Sequence, residues 1–359
     1  MESLVKKQEL IEVLNKRGLR FTWNSPLEGM GRTYKLDDVR KERGMAWMLR
    51  AACKRQEAVH AVANCRRAPV IPNPDDNEEE DSIVHRPLVV VGGSVLGTPT
   101  TGVGAGAGAG GAIGPSPAGT PTPGRTPKSP GPVLGESAPA VATTLRQAAG
   151  LYKHSAENVL PELKDSLPGE RPNELLASMA HTMRLICLAE AQAASARRAE
   201  EKGTAHGLLC KLHMGVHDLY KEADKMLGDH VSDFNFIGKK LQAYILLGIT
   251  THRARAHRAA AEEAAAANDI GEAIASCDAA AKHLARSVGA AGETDTWRET
   301  AGDEKTALEA IRAKFVRENE VVYFEKIPDK PAKSLPEGKV IVTEIEHVPC
   351  EQLQNLFVE

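Results

Sequence analysis

Hydrophobic residues recur along much of this chain at intervals of three and four positions, the spacing that places them on one face of a helix. The same spacing predicts helices near residues 4–14 and over residues 37–62, 233–268, 270–288 and 303–319, with FTWNSPLEGMG as a turn-rich connector after the first. The longest hydrophobic runs are Leu176, Met179, Met183 and Ile186, and then Leu208, Leu212, Val216, Leu219, Ala223 and Met226. The sequence therefore predicts an all-α protein.

Short breaks between these helices predict antiparallel packing of neighbours. Gly203 separates two helices, Asn268-Asp269 can end one helix and cap the next, and Gly271 would let two helices approach closely. The alanine-rich run at 257–267 permits close packing at little cost in side-chain entropy. No strict repeat is found, but the pattern predicts an elongated stack of antiparallel helices with a tetratricopeptide-like solenoid core.

The composition changes sharply in the middle of the chain. Residues 66–141 contain APVIPNPDDNEEED, GVGAGAGAGG and PSPAGTPTPGRTPKSPGP, which are too rich in proline, glycine and small residues to bury a core. We therefore divide the chain into an N-terminal part, 1–65, a disordered insert, 66–141, and a main helical part, 142–359. From about residue 327 three internal prolines prevent a helix, so this tail is expected to run extended over the surface.

Charge and cysteine content exclude several classes of protein. The net charge of −3 over 359 residues argues against a nucleic-acid partner. Six widely spaced cysteines without a CxxC pair argue against a disulfide framework or a zinc ribbon and fit a reducing compartment. The longest apolar helical stretch, Leu241 to Ile249, is far short of a membrane span. We expect a cytoplasmic protein that contacts membranes only indirectly.

No motif in the chain supports catalysis. GAGAGAGG satisfies GxGxxG, but no helical pattern follows Gly111, so we interpret it as low complexity. His213 and His217 have the spacing of two metal ligands on one helical face, yet Met214 stands where a metalloprotease needs glutamate, and ordinary surface or partly buried histidines are the favoured interpretation. We predict no catalytic residue, no cofactor and no bound metal.

The predicted insert contains candidate modification sites. Thr122, Thr126 and Ser129 each precede a proline, with Arg125 and Lys128 nearby, which fits proline-directed phosphorylation in a segment without a fold. The alternative interpretation is a low-complexity expansion without function.

Four stretches in order resemble the Bro domain family, an ESCRT-associated helical domain. They are FTWNSPLEG followed by MLRAACKRQ, the long segment Arg171 to Ala223 with LAEAQ at 188–192, NDIGEAIA, and ENEVVYFEKIPD. The resemblance implies a curved stack of helices around a tetratricopeptide-like core. It also implies a strand pair and early helices before the Phe-x-Trp segment, which this chain is expected to lack.

The same resemblance implies a partner and a binding site. In the family, an exposed hydrophobic patch receives the amphipathic C-terminal helix of an ESCRT-III subunit of the charged multivesicular body protein type. In gapless register the patch positions are Ser195, Leu208 and Leu212, with Ser195 in place of an aromatic residue. Periodicity alone assigns both leucines to the core, whereas the resemblance favours docking and requires both to be exposed.

Three functional hypotheses follow. The first is an adaptor without enzymatic activity that is recruited to endosomes and binds ESCRT-III in multivesicular-body sorting or membrane remodelling. The second is a helical scaffold that has lost ESCRT-III binding, as Ser195 suggests, and is regulated through its phosphorylatable insert. The third is an enzyme that uses a metal held by His213 and His217.

Overall fold

The computed structural model describes residues 9, 11–18, 20–28, 32–65, 135, 137–292 and 294–348. Each long helix packs mainly against the next one along the chain, which confirms the predicted all-α stack. The long helices are α1 (Val39–Cys65), α2 (Ser137–His154), α3 (Ala177–Glu201), α4 (His206–Asp229), α5 (Lys239–Ala266), α6 (Ile270–Ala291) and α7 (Asp295–Glu318).

Some predicted boundaries are wrong. Helix α2 begins at Ser137, inside the predicted insert, because Ala138 and Val141 are buried on its first turns. Helix α7 begins at Asp295 rather than 303, since Trp297 is buried there. The rest of the predicted insert lies outside the described residues, so its disorder stays a prediction.

The predicted connector FTWNSPLEGMG contains a strand. Strand β1 (Phe21–Asn24) pairs antiparallel with β2 (Thr33–Leu36), and Phe21 lies opposite Leu36. Aromatic and β-branched residues in alternation favour such a half-buried strand pair. This strand pair is formed by the Phe-x-Trp segment and the residues after it, where no strand was predicted.

A buried ion pair joins α1 to α3. The Arg55 guanidinium of α1 donates from Nε to Glu190 Oε2 of α3 at 2.8 Å, and a second donation goes to Glu190 Oε1. Tyr244 of α5 also donates to Glu190, and Tyr220 of α4 lies 3.0 Å from the Tyr244 hydroxyl. Because all these groups are buried, each depends on the others for its hydrogen bonds.

A second buried network lies further along the stack. Arg255 of α5 donates from Nε to Glu304 of α7 at 2.9 Å, and Arg258 pairs with Glu200 near the end of α3. Burial alone would raise the pKa of Glu200, but Arg258 and the other cations around it outweigh burial and bring this pKa to about 2. Ionised arginine and glutamate side chains therefore tie α3, α5 and α7 together.

The tail, residues 324–348, has no regular secondary structure, as predicted. It begins at Phe324, whose φ of 53° is in the left-handed region, and Asn319 holds this turn through two hydrogen bonds to Glu325 of 2.8 and 2.9 Å. Tyr323 donates to Asn268 Oδ1 at 3.1 Å, which attaches the turn to the α5–α6 hairpin.

The tail then crosses α6, α4, α3 and α2 in that order. Its backbone contacts are Ala332 N and Lys333 N to the Glu272 carboxylate, Lys339 N to Lys211 O, Ile341 N to Gln192 Oε1, and Ile345 N to Arg146 O. A segment with few buried side chains is thus fixed chiefly through its backbone polar groups.

Three helical glycines make room for this backbone. A Cβ atom at Gly271 would lie 2.7 Å from Lys326 O, one at Gly215 would lie 2.6 Å from Lys339 O, and one at Gly150 would overlap Ile345 O. The close approach predicted for Gly271 is therefore to the tail and not to a neighbouring helix. Asp269 does cap α6, since its side chain accepts from Glu272 N.

We predict that Arg55→Met destabilises the protein by about 3–5 kcal/mol, because it leaves the Glu190 carboxylate buried without its cation. Urea denaturation measures this change. The control is Lys54→Ala at the neighbouring exposed pair with Glu57, where a loss of about 0–1 kcal/mol is expected. Equal losses in the two variants would contradict a structural role for the buried pair.

We predict that Gly215→Ala loosens the tail, because the new methyl group meets Lys339 O and the backbone there has to shift. Trypsin cleavage after Lys339 should become about tenfold faster. Gly289→Ala in α6 is the matched control, since a Cβ there meets nothing within 4 Å and alanine favours the helix. Unchanged cleavage in Gly215→Ala would show that the tail does not need this glycine.

Candidate partner-binding surface

The turn between α3 and α4 brings the predicted site residues to one region. Helix α3 ends at Glu201, Gly203 takes the left-handed φ of 69°, and α4 starts at His206. This confirms the predicted break at Gly203. Ser195 lies in the last two turns of α3 and Leu208 in the first turn of α4, so both are near the same hairpin turn.

The structure separates the two predicted leucines. Leu208 is 39% exposed, whereas Leu212 is only 4% exposed. The expectation that both stand in solvent is wrong for Leu212, because it shares a helical face with the buried Val216 and Leu219. Ser195 is half-buried and donates its hydroxyl to Ala191 O at 3.0 Å within its own helix.

Gln192, for which the sequence predicted no role, fixes the tail beside these residues. Its Nε2 donates to Lys339 O at 2.8 Å and to Leu212 O at 3.3 Å, while its Oε1 accepts from Ile341 N at 3.0 Å. Gln192 is fully buried. The sequence does hold one signal for this role, an uncharged polar residue in the middle of an alanine-rich helix. A buried amide at such a position needs hydrogen-bond partners.

The tail adds two apolar side chains to the surface. Val340 is 45% exposed and Ile341 is 52% exposed. Ile341 N donates to Gln192, one helical turn before Ser195. Lys339, two residues earlier in the tail, donates its N–H to Lys211 O, one turn after Leu208. We define the docking surface as Ser195, Leu208, Val340 and Ile341.

Charged groups stand beside this surface. His206 Nδ1 lies 3.0 Å from the Glu262 carboxylate of α5, and this close carboxylate is the main cause that raises the pKa of His206. Arg198, whose side chain is 30% exposed, pairs with Glu201 at the end of α3. An amphipathic helix that buries its apolar face here would therefore meet charges of both signs at the rim.

The two candidate metal ligands do not converge. His213 Nδ1 faces His252 Nδ1 at 3.3 Å, and His217 Nδ1 lies 3.0 Å from Ile249 O, so both rings are engaged with α5. Burial lowers the pKa of His213 to about 4. Within the residues that the structure describes, no group of three or more histidine, cysteine, aspartate or glutamate side chains is placed to hold a metal.

Two further observations concern membranes and modification. Across the described ranges, no helix combines the length and apolarity that a bilayer crossing requires. The predicted phosphorylation sites Thr122, Thr126 and Ser129 lie outside the described residues and stay predictions.

Curated relatives match about half of the chain. The BRO1 domain-containing protein BROX of Homo sapiens is 29% identical over 207 residues, which cover 54% of this chain and 48% of the human protein. The Xenopus tropicalis protein of the same name is 28% identical over 230 residues, 60% of this chain and 54% of the relative. The chain thus spans about half the length of the curated relatives it matches.

Solved structures share the fold. One described as the structure basis for endosomal targeting by the Bro1 domain has a TM-score of 0.54 at 14% identity and covers 99% of this chain and 77% of the other. The ALIX BRO1 CHMP4C complex has a TM-score of 0.50 at 20% identity, with 59% and 56% coverage. A model of the BRO1-like domain matches residues 136–357, more than half of the chain, and this protein therefore belongs to the BRO1-like domain family.

Proposed function

We propose that this protein is a non-catalytic adaptor that binds the amphipathic C-terminal helix of an ESCRT-III subunit, in endosomal multivesicular-body sorting or membrane remodelling. The observation that carries the proposal is the docking surface, where aliphatic side chains of α4 and of the tail are exposed and the hydrogen bonds of the tail to α3 and α4 lie within one helical turn of Ser195 and Leu208. The complex of an ALIX BRO1 domain with CHMP4C supports an ESCRT-III subunit as the partner.

The chemistry of the surface fits an apolar helix face. Leu208, Val340 and Ile341 are each about half exposed, so covering them contributes on the order of 1 kcal/mol each. Ser195 offers no aromatic anchor, and interface energy concentrates in a few such anchors. We therefore expect binding that is specific in geometry and weak in affinity.

We further propose that this partner recruits the protein to endosomes from the cytoplasm. Membrane contact is then indirect and depends on the docking surface. The related Bro1 domain studied for endosomal targeting supports this localisation at the level of the fold.

A second candidate function is a helical scaffold that has lost ESCRT-III binding and is regulated through phosphorylation at Thr122, Thr126 or Ser129. Two observations favour it: the serine at position 195 and the burial of Leu212, which together remove two of the three expected contacts. Binding measurements on variants of the docking surface separate the two candidates.

We predict that Leu208→Asp weakens binding of an ESCRT-III C-terminal helix peptide about tenfold or more, because it places a charge against the apolar face of the peptide. Isothermal titration calorimetry measures the change. Val288→Asp is the matched control, since Val288 is also 39% exposed but lies on α6.

The control variant should bind as the wild type does. Equal affinities of Leu208→Asp and wild type would refute the docking surface, and absence of wild-type binding would favour the scaffold. Leu212→Asp is unsuitable as a probe, because it buries an unpaired charge in the core.

We predict that Ser195→Phe tightens binding of the same peptide about tenfold, because an aromatic ring at this half-buried position adds apolar contact area. Ser195→Ala is the control and should bind like the wild type, since it removes the hydroxyl without adding a ring. If Ser195→Phe stays folded by circular dichroism and shows no gain, position 195 does not contact the partner.

A further inference from the structure

The distal end of the tail is held by a cluster of three rings from three elements. The ring of His347 lies 5.1 Å from Trp47 of α1 and 5.3 Å from His154, the last residue of α2, between ring centroids. Trp47 and His154 are themselves 4.6 Å apart. We call Trp47, His154 and His347 the ring cluster. It fixes the tail to α1 and α2 beyond the backbone contact of Ile345.

The charges that act on the two imidazoles are positive. Burial is the largest cause that lowers the pKa of His154, and the positive charges of Arg43 and Arg50 lower it further. Burial is also the largest cause that lowers the pKa of His347, followed by Arg50 and His154. The Arg50 guanidinium also stands 5.1 Å from the centre of the Trp47 ring. Both imidazoles are thus neutral in the folded protein at neutral pH.

Three carboxylates near the ring cluster, those of Glu162, Glu344 and Glu346, are already paired with other cations, and Glu157 acts on Lys153 and His181. Glu344 lies 3.0 Å from Lys153 of α2 and 3.2 Å from Arg184 of α3. Glu346 lies 3.5 Å from Lys153, and Glu162 lies 3.1 Å from Arg43. His154 Nδ1 lies 3.4 Å from the Asn158 amide, which carries no charge. A proton on either ring therefore adds to a local excess of positive charge.

We propose that the ring cluster is an acid-sensitive latch, which holds residues 342–348 on α1 and α2 while both imidazoles are neutral and releases them when both gain protons. When the tail is released, the pKa values of both histidines rise to their ordinary range. Because the released state then binds protons more readily than the ring cluster does, acid favours release as the pH falls through and below the usual range of histidine titration. Above that range the latch stays closed. Residues 332–341 stay bound, because Glu272 and Gln192 hold them without an imidazole.

Hydrogen exchange of the full chain, measured by mass spectrometry at about pH 7.5 and about pH 5.5 and corrected for intrinsic exchange rates, tests the latch. Protection of the Ile345 amide should fall about tenfold at the lower pH, the scale of a repulsion between close like charges. Protection at Ala332 and Lys333 should not change.

Two variants make the test specific. His347→Phe keeps a ring in the cluster but cannot gain a proton, so its distal tail should stay protected at the lower pH. His181→Gln removes a half-buried histidine of α3, whose pKa is also lowered by burial, and should respond as the wild type does.

Unchanged protection of Ile345 in the wild type overturns the latch. So does a loss in His347→Phe as large as in the wild type, or a parallel loss over the whole chain. The measurement uses no partner, so its result is independent of the docking surface.

Discussion

The tail can belong to the fold only if its backbone N–H and C=O groups find partners, because no helix or sheet supplies them. Gln192 meets this need at the centre of the tail, where its amide bonds Lys339 O and Ile341 N and also reaches Leu212 O of α4. The amide is fully buried, so losing these bonds would leave polar atoms unsatisfied. Together with the Lys339 N–H bond to Lys211 O and the Arg184–Glu344 ion pair, this side chain sets the position of the tail on α3 and α4, and with it the docking surface.

The fold was largely predictable from the sequence because its helices are long and their periodicity is strong. The helices near Leu176–Ile186 and Leu208–Met226 and the cap at Asp269 follow local rules that need no tertiary information. The strand at Phe21–Asn24 was missed because a four-residue strand gives little alternation. The start of α2 at Ser137 was missed because proline and glycine just before it hide its first buried residues.

The candidate site was predictable only in part. Leu208 is exposed as the docking interpretation required, whereas Leu212 belongs to the core, as periodicity alone indicated. The contribution of Val340 and Ile341 could not be foreseen, since it depends on contacts between residues about 150 positions apart in the chain. Gly150 and Gly215 likewise could not be linked to the tail from the sequence, because only the fold brings the tail backbone against them.

The central claim is that α4 and the tail form a single docking surface. Methyl NMR of the full chain during titration with an ESCRT-III C-terminal helix peptide tests it most directly. The account predicts that the methyl signals of Leu208, Val340 and Ile341 shift together with one dissociation constant, while those of Val288 stay in place. Shifts of Leu208 without Val340 and Ile341, or shifts confined to other surfaces, would contradict it.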